Sequence, residues 1–119
     1  MAQPFDVCIR GAGIVGRTLA LLLARERLRV ALVAAPPHPS ATSDVRAYAL
    51  NAASRALLES VRSWPDDTLA TPVQAMQVLG DQGGEVHFNA PAEAGSLARS
   101  VDVPALAAQL AGAVRYRPP

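Results

Sequence analysis

The 119-residue sequence contains no lysine, a single cysteine and few aromatic residues. The lone cysteine, Cys8, excludes an internal disulfide and a zinc cage made of cysteines, and its place in an apolar run predicts a buried thiol. The eleven arginines are scattered and balance ten carboxylates, so no basic patch favours nucleic acid as a partner. No apolar run approaches the roughly 20 residues of a transmembrane segment, and no secretory signal is evident. A cytoplasmic protein is expected, with peripheral attachment to a membrane as the alternative.

Residues that could bind a metal or exchange protons are also sparse. His38 and His87 each lack a second ligand at metal-binding spacing, which predicts no metal site. Asp66 and Asp67 are adjacent carboxylates, but they follow Pro65 in a predicted loop and are expected to form a solvated turn. We therefore expect neither a catalytic residue nor a metal ligand in this chain.

The N-terminal third of the sequence predicts a strand, a tight turn, a helix and a second strand. Residues 5–10 favour a strand, the segment GAGIVG (11–16) follows at once, and TLALLLARERLR (18–29) has helical spacing. The apolar run at 29–34 suits a parallel strand covered on both faces. Residues 1–35 are therefore predicted to form the βαβ unit of a Rossmann-like α/β fold.

The middle of the chain predicts a loop, a helix and a hairpin. A proline-rich loop over 35–45 leads to Asn51, which is a suitable N-cap for a helix over 52–64. Two strands, 73–79 and 85–89, flank a turn rich in glycine and predict an inserted antiparallel β-hairpin.

The chain stops where a doubly wound sheet would normally continue. Pro104 suits the first turn of a last helix over 104–114, and Val114 to Arg117 would begin the third strand of the parallel sheet. A complete enzyme of this type would extend beyond Pro119. We therefore expect a fold that is incomplete relative to the full enzyme.

Gly11, Gly13 and Gly16 form the pattern GxGxxG between the first predicted strand and helix, which is the context that a dinucleotide-binding fingerprint requires. Gly11 permits the tight turn, Gly13 lets a pyrophosphate approach the backbone, and Gly16 lets helix and strand pack closely. Unpaired amides and the helix dipole favour an anion there. A purely structural glycine turn is the alternative.

The acidic residue that usually accompanies this fingerprint is missing. About 20 residues after the glycines a carboxylate normally accepts hydrogen bonds from the adenosine ribose, and Ala34 occupies that place here. No arginine or lysine follows closely enough to suggest that a 2′-phosphate replaces it. Weak adenosine binding, or a substitute contact from Ser40, Thr42 or a main-chain group, is expected.

Three stretches together resemble the ubiquinone-biosynthesis hydroxylases, which are flavin monooxygenases of the para-hydroxybenzoate hydroxylase fold. The stretches are DVCIRGAGIVGRTLALLLAR, DVRAYALNAASRALLESVRSW and MQVLGDQGGEVHF. In that family an Asp-x-Arg pair before an Ala-Leu helix entry lies against the flavin. The resemblance therefore implies that Asp44 and Arg46 lie near FAD, with Arg46 in direct contact.

The resemblance also implies a division of the chain into parts and a set of partners. The parts are a dinucleotide unit (1–35), a flavin-contacting loop and helix (36–64), a hairpin of the substrate-side sheet (72–90), and a helix with the start of a third strand (103–119). In the full enzyme NAD(P)H would reduce FAD, and a small aromatic molecule would be the substrate. The family's second flavin motif lies beyond this sequence, so the isolated chain is expected to be inactive.

Two positions depart from the family's pattern. Val103 stands where the family has a polar or basic flavin contact, and Arg10 stands where the first strand normally ends in a small apolar residue. Because burying a lone guanidinium is costly, Arg10 is expected to reach solvent or to pair with a carboxylate.

The same residues are compatible with two other functions. A noncatalytic nucleotide-binding or interaction module could have lost FAD and could self-associate through an exposed sheet edge. An NAD(P)-binding dehydrogenase domain shares the glycine motif, but it does not account for Asp44, Arg46 or the inserted hairpin.

Overall fold

The computed structural model describes residues 4–36 and 44–115. Within them the strands are β1 (Val7–Arg10), β2 (Val30–Val33), β3 (Ala47–Leu50), β4 (Ala70–Val73), β5 (Ala75–Leu79), β6 (Glu85–Asn89) and β7 (Ala98–Asp102). The helices are α1 (Ile14–Arg25), α2 (Ala52–Ser60) and α3 (Val103–Arg115), with a single 3₁₀ turn at Asp67–Leu69. The predicted α/β class is confirmed. None of the helices in the described ranges is long and apolar enough to span a membrane.

The N-terminal βαβ unit forms as predicted, with β1 and β2 paired in parallel and α1 between them in sequence. Its sheet is covered on one face, because Val7 and Ile9 are half-buried whereas Cys8 and Arg10, which alternate with them, are exposed. The prediction of a buried thiol is therefore wrong for the described chain. In β2, which was predicted to be covered on both faces, the first three residues are half-buried and Val33 is 48% exposed.

Residues with positive φ end the first two helices earlier than the sequence pattern predicts. Arg27 (φ 63°) follows α1, which ends at Arg25, and Arg62 (φ 56°) follows α2, which ends at Ser60. Left-handed backbone cannot continue a right-handed helix. At the other end of α2 the predicted N-cap is confirmed, since the side-chain oxygen of Asn51 accepts the backbone N–H three residues on at 2.9 Å.

A three-stranded antiparallel sheet, with strand order β3-β7-β4, was not predicted from the sequence. Its central strand, β7, has the sequence ARSVD, in which apolar and polar residues do not alternate as they do in a strand that is recognised from sequence. Val101 is its one fully buried residue. Pro72 lies in the edge strand β4, where a missing N–H does not break an internal ladder.

The predicted hairpin is confirmed as β5 and β6, joined by a turn in which the Gly80 N–H donates to the Gly84 carbonyl at 2.6 Å. Its two faces differ in polarity, and both are exposed. Four apolar residues, 40–51% exposed, pair across one face: Met76 with Phe88 and Val78 with Val86.

Helix α3 connects the βαβ unit to the three-stranded sheet, because it packs on α1 and on β7. Leu106 and Leu110 are fully buried there, in a core with Leu21 and Leu58. Pro104 lies in the first turn, as predicted. The helix continues through Arg115, so the prediction of a third strand beginning at Val114 is wrong for its first two residues, and its last two lie outside the described ranges.

Candidate functional site

The turn between β1 and α1 is closed against the end of β2. The Gly11 N–H donates to the Val33 carbonyl at 2.9 Å, and Gly11 itself has φ of +116°. Residues with a side chain rarely adopt this backbone conformation, whereas glycine adopts it readily. Gly11 is therefore required by the shape of the turn.

Gly16 is required for a different reason, which is space. A Cβ atom added to Gly16 would lie 1.8 Å from the Gly11 carbonyl oxygen and 3.6 Å from Cγ2 of Ile9. The first contact is with backbone and cannot be relieved by rotating a side chain. Glycine at this position lets α1 lie directly against β1, as the fingerprint predicts.

Replacing Gly16 with alanine is expected to destabilise the chain by roughly 1–3 kcal/mol, because the clash outweighs alanine's better helix propensity. Gly112 in α3 is the matched control, since an added Cβ there meets nothing within 4 Å. Gly112→Ala should raise stability by about 0.5–1 kcal/mol. Urea unfolding of the two variants checks both signs, and a Gly16→Ala protein at least as stable as the parent would contradict the packing argument.

Gly13 has neither of these structural requirements. Its φ of −79° and ψ of −168° are open to any residue, and an added Cβ would meet no atom within 4 Å. Nothing within the described chain therefore requires glycine here. The open surroundings of Gly13 leave room for an external group to approach the backbone at this point.

The N-terminus of α1 is also left without a side-chain cap. Gly13 is its N-cap residue, and the first turn contains no acidic side chain. In contrast, Asn51 caps α2, and Asp102 accepts the Ala105 N–H at 3.1 Å in the first turn of α3. Among the described residues no side chain caps the amides at the start of α1, and an uncapped helix N-terminus favours an anion.

Asp44 and Arg46 form a two-point ion pair immediately before β3. The Arg46 side chain donates to the two Asp44 carboxylate oxygens at 2.9 and 2.8 Å, and the Arg46 backbone N–H adds a third bond at 3.0 Å. The Arg46 guanidinium lies 5.9 Å from the centre of the Tyr48 ring. The ion pair holds the Arg46 side chain in one orientation, and 65% of that side chain remains exposed.

These contacts shift the pKa values of both groups. The side-chain and backbone hydrogen bonds from Arg46 lower the pKa of Asp44 from 3.8 to about 2, and the same carboxylate raises the pKa of Arg46. Because the pKa of Asp44 is lower when folded, the pair contributes stability above the ordinary carboxyl pKa. That contribution is lost as the pH falls towards 2.

We expect the Asp44 carboxyl, followed by carbon-detected NMR, to titrate with a midpoint of about 2. Arg46→Gln removes the charged donor and should move that midpoint up towards 3.8. Arg62→Gln leaves the pair intact and should not move it. An Asp44 midpoint near 3.8 in the parent chain would show that the pair does not form in solution.

Val103, which stands where the hydroxylase family has a polar or basic flavin contact, lies next to Arg46. Its backbone N–H donates to the Arg46 carbonyl at 3.1 Å, and its side chain is buried. Its side chain therefore supplies no polar contact at this position, as the departure from the family's pattern predicts. The glycine turn and the Asp44–Arg46 pair lie on different sheets, and residues 37–43, which include Ser40, Thr42 and His38, are outside the described ranges.

Among residues 4–36, the end of β2 carries no acidic residue. Ala34 follows the strand and is exposed. The parallel register places Arg10, the last residue of β1, opposite Val33, so an arginine lies one strand away from Ala34. Sequence spacing alone did not associate these two residues, because they are far apart along the chain and only strand pairing brings them together.

The other candidate residues have local structural contacts. Asp66 caps the 3₁₀ turn, and Asp67 accepts hydrogen bonds from Arg55 and from the Trp64 ring N–H at 3.2 and 3.3 Å. His87 lies 2.5 Å from Glu85 on the exposed hairpin. Each of these three side chains therefore has a local structural contact that explains its position without a catalytic role.

The fold is similar to parts of larger solved structures. One is the flavin-dependent monooxygenase PieE in complex with FAD and substrate, at 22% identity and a TM-score of 0.62, covering 93% of this chain and 22% of that one. Another is 2,6-dihydroxypyridine-3-hydroxylase from Arthrobacter nicotinovorans, at 19% identity and 0.59, covering 99% and 28%. A third is a geranylgeranyl bacteriochlorophyll reductase-like protein from Thermoplasma acidophilum, at 17% identity and 0.59, covering 92% and 28%.

The chain thus spans about a quarter of the length of these proteins, at 22–28%. No protein-family model matches the sequence, and no curated protein sequence matches it. At these identities the likeness shows a shared fold. The predicted α/β fold is confirmed at that level.

Proposed function

We propose that the chain is the FAD-binding portion of an NAD(P)H-dependent aromatic-ring monooxygenase similar to the ubiquinone-biosynthesis hydroxylases. The observation that carries this proposal is Gly13, whose backbone conformation is open to any residue and where an added Cβ would meet no atom within 4 Å. Glycine there is explained by a ligand that approaches the uncapped end of α1. The fold shared with a monooxygenase solved with FAD supports the choice of ligand.

In this proposal the amides of α1 bind the pyrophosphate, and Arg46 contacts the pyrophosphate or the flavin ring. A rigid, planar guanidinium suits both partners. Asp44 is a positioning residue, because its two oxygens hold Arg46 in place. FAD would supply the redox and oxygen chemistry, and the protein would bind, orient and shield it.

The residues fit the phosphate half of FAD better than its ribose. Gly13 provides the open approach that a pyrophosphate needs, whereas Ala34 offers no carboxylate to the ribose and Val103 offers no side-chain donor to the flavin. We therefore propose a cofactor held mainly at its pyrophosphate. The division into 1–35, 36–64, 72–90 and 103–119, the small aromatic substrate, the cytoplasmic location and the inactivity of the isolated chain belong to the same proposal.

The test is a titration of the 119-residue chain with FAD, followed by flavin fluorescence, beside ADP and FMN. ADP contains the adenosine and pyrophosphate that the turn is proposed to hold, whereas FMN contains neither. Saturable binding of FAD, displaced by ADP and not by FMN, is the expected result. Equal binding of FMN, or no binding of FAD, would overturn the proposal for this chain.

A second candidate is a noncatalytic module that no longer binds FAD and associates with itself. The exposed Ala34 favours it, and so does the open apolar face of the β5–β6 hairpin, whose four residues are 40–51% exposed. Light scattering coupled to size exclusion tests the association. A concentration-dependent dimer together with no FAD binding favours the module, and a monomer that binds FAD excludes it.

A further inference from the structure

The corner formed by the ends of β1 and β2 has an arginine where an ordinary dinucleotide site has a carboxylate. A carboxylate at this corner normally accepts hydrogen bonds from the ribose 2′-hydroxyl, whereas a nearby arginine accommodates a ribose 2′-phosphate. The corner here combines exposed Ala34, which has no charge, with exposed Arg10 on the adjacent strand.

Arg10 is held close to this corner by the pairing of the two strands. Its Cα is paired with that of Val33, the residue before Ala34, and paired strands lie about 4.8 Å apart. The bond from the Gly11 N–H to the Val33 carbonyl, 2.9 Å long, fixes the next step of the same ladder. The long arginine side chain therefore starts beside the point where the ribose of a nucleotide on the glycine turn would lie.

The positive charge of Arg10 is not neutralised by the described residues. None of the ion pairs among residues 4–36 and 44–115 includes Arg10. Asp6, the other charged residue next to β1, binds Arg29 at the opposite end of the strand. The sequence between β2 and Asp44 also contains no acidic residue.

We propose that Arg10 makes this corner select a phosphorylated adenosine ribose, so that a dinucleotide of the NADP type binds the glycine turn more tightly than one of the NAD type and competes there with FAD. The inference rests on the proposed dinucleotide site. Arg10 is thus a specificity-determining residue that contacts the 2′-phosphate. The guanidinium donates charge-assisted hydrogen bonds to the oxygens of the 2′-phosphate, and the neutral hydroxyl of an unphosphorylated ribose receives only weaker ones.

The experiment measures the dissociation constants of NAD⁺ and NADP⁺, which differ only in the 2′-phosphate, by calorimetry and by displacement of FAD. NADP⁺ should bind about tenfold more tightly or better, the effect of one charge-assisted hydrogen bond. Arg10→Ile should bring the two constants close together, and Ala34→Glu should reverse the preference. Arg27→Asn removes a charge beyond the far end of α1, in a left-handed position that asparagine tolerates, and should leave the ratio unchanged.

The outcomes separate this inference from the function on which it rests. FAD binding with a tenfold preference for NADP⁺ that Arg10→Ile abolishes supports the inference. FAD binding with equal affinity for NAD⁺ and NADP⁺, or a preference unaffected by Arg10→Ile, overturns the inference and leaves the proposed function standing. No binding of FAD or of either dinucleotide overturns both.

Discussion

Replacing Gly13 with aspartate is expected to weaken FAD binding by at least tenfold while leaving the fold as stable as before. The backbone of Gly13 already has a conformation that aspartate adopts freely, and the added side chain would enter open space. Aspartate is a better N-cap than glycine by a few tenths of a kcal/mol, and its charge suits the helix dipole. The folded chain should therefore tolerate the change or gain from it.

The loss of binding has two causes that a matched variant separates. The aspartate side chain would occupy the approach to the α1 amides, and its charge would repel a pyrophosphate. Asparagine has nearly the same shape without the charge, so Gly13→Asn measures the steric part alone. We expect Gly13→Asn to weaken FAD binding and Gly13→Asp to weaken it further, with the difference between them shrinking as salt screens the charge.

Flavin fluorescence titrations and thermal unfolding of the three proteins provide the measurements. If both variants keep the parent's melting temperature and lose FAD, the glycine is required by the ligand and not by the fold. Unchanged FAD affinity in Gly13→Asp would show that no phosphate approaches α1. A large fall in melting temperature would instead give Gly13 a structural role that its geometry does not indicate.

Replacing Leu106 with alanine is expected to cost about 2–5 kcal/mol of unfolding free energy. Leu106 is fully buried in α3, among Leu21 of α1, Leu58 of α2 and Val101 of β7. Truncating it removes contacts within this core and leaves a cavity. Because a domain is stable by only about 5–15 kcal/mol, this single change should remove much of the stability of the chain.

Leu106→Met keeps most of the side-chain volume and should cost less than about 1.5 kcal/mol. Urea unfolding followed by circular dichroism measures both variants. A large difference between alanine and methionine shows that α3 joins the βαβ unit to the antiparallel sheet in this chain. Equal and small effects would mean that the core around α3 does not form in the 119-residue chain.

Several features follow from the sequence because they depend on neighbouring residues. The GxGxxG spacing places its three glycines in one turn, and the turn imposes positive φ at Gly11 and close packing at Gly16. Asn51 caps α2 through a bond that spans three residues. Local rules of backbone conformation and capping are sufficient for each of these, and the pairing of Asp44 with Arg46 is equally local.

Other features were decided by tertiary structure, because they join residues that are distant in sequence. β7 is a central strand through its pairing with β3 and β4, and its own composition does not indicate this. Cys8 is exposed because the described chain covers only one face of β1, whereas apolar neighbours in sequence predicted burial. Arg10 lies beside Ala34 through the register of two parallel strands. Strand pairing and the number of covering layers are set by long-range packing, which local sequence patterns do not encode.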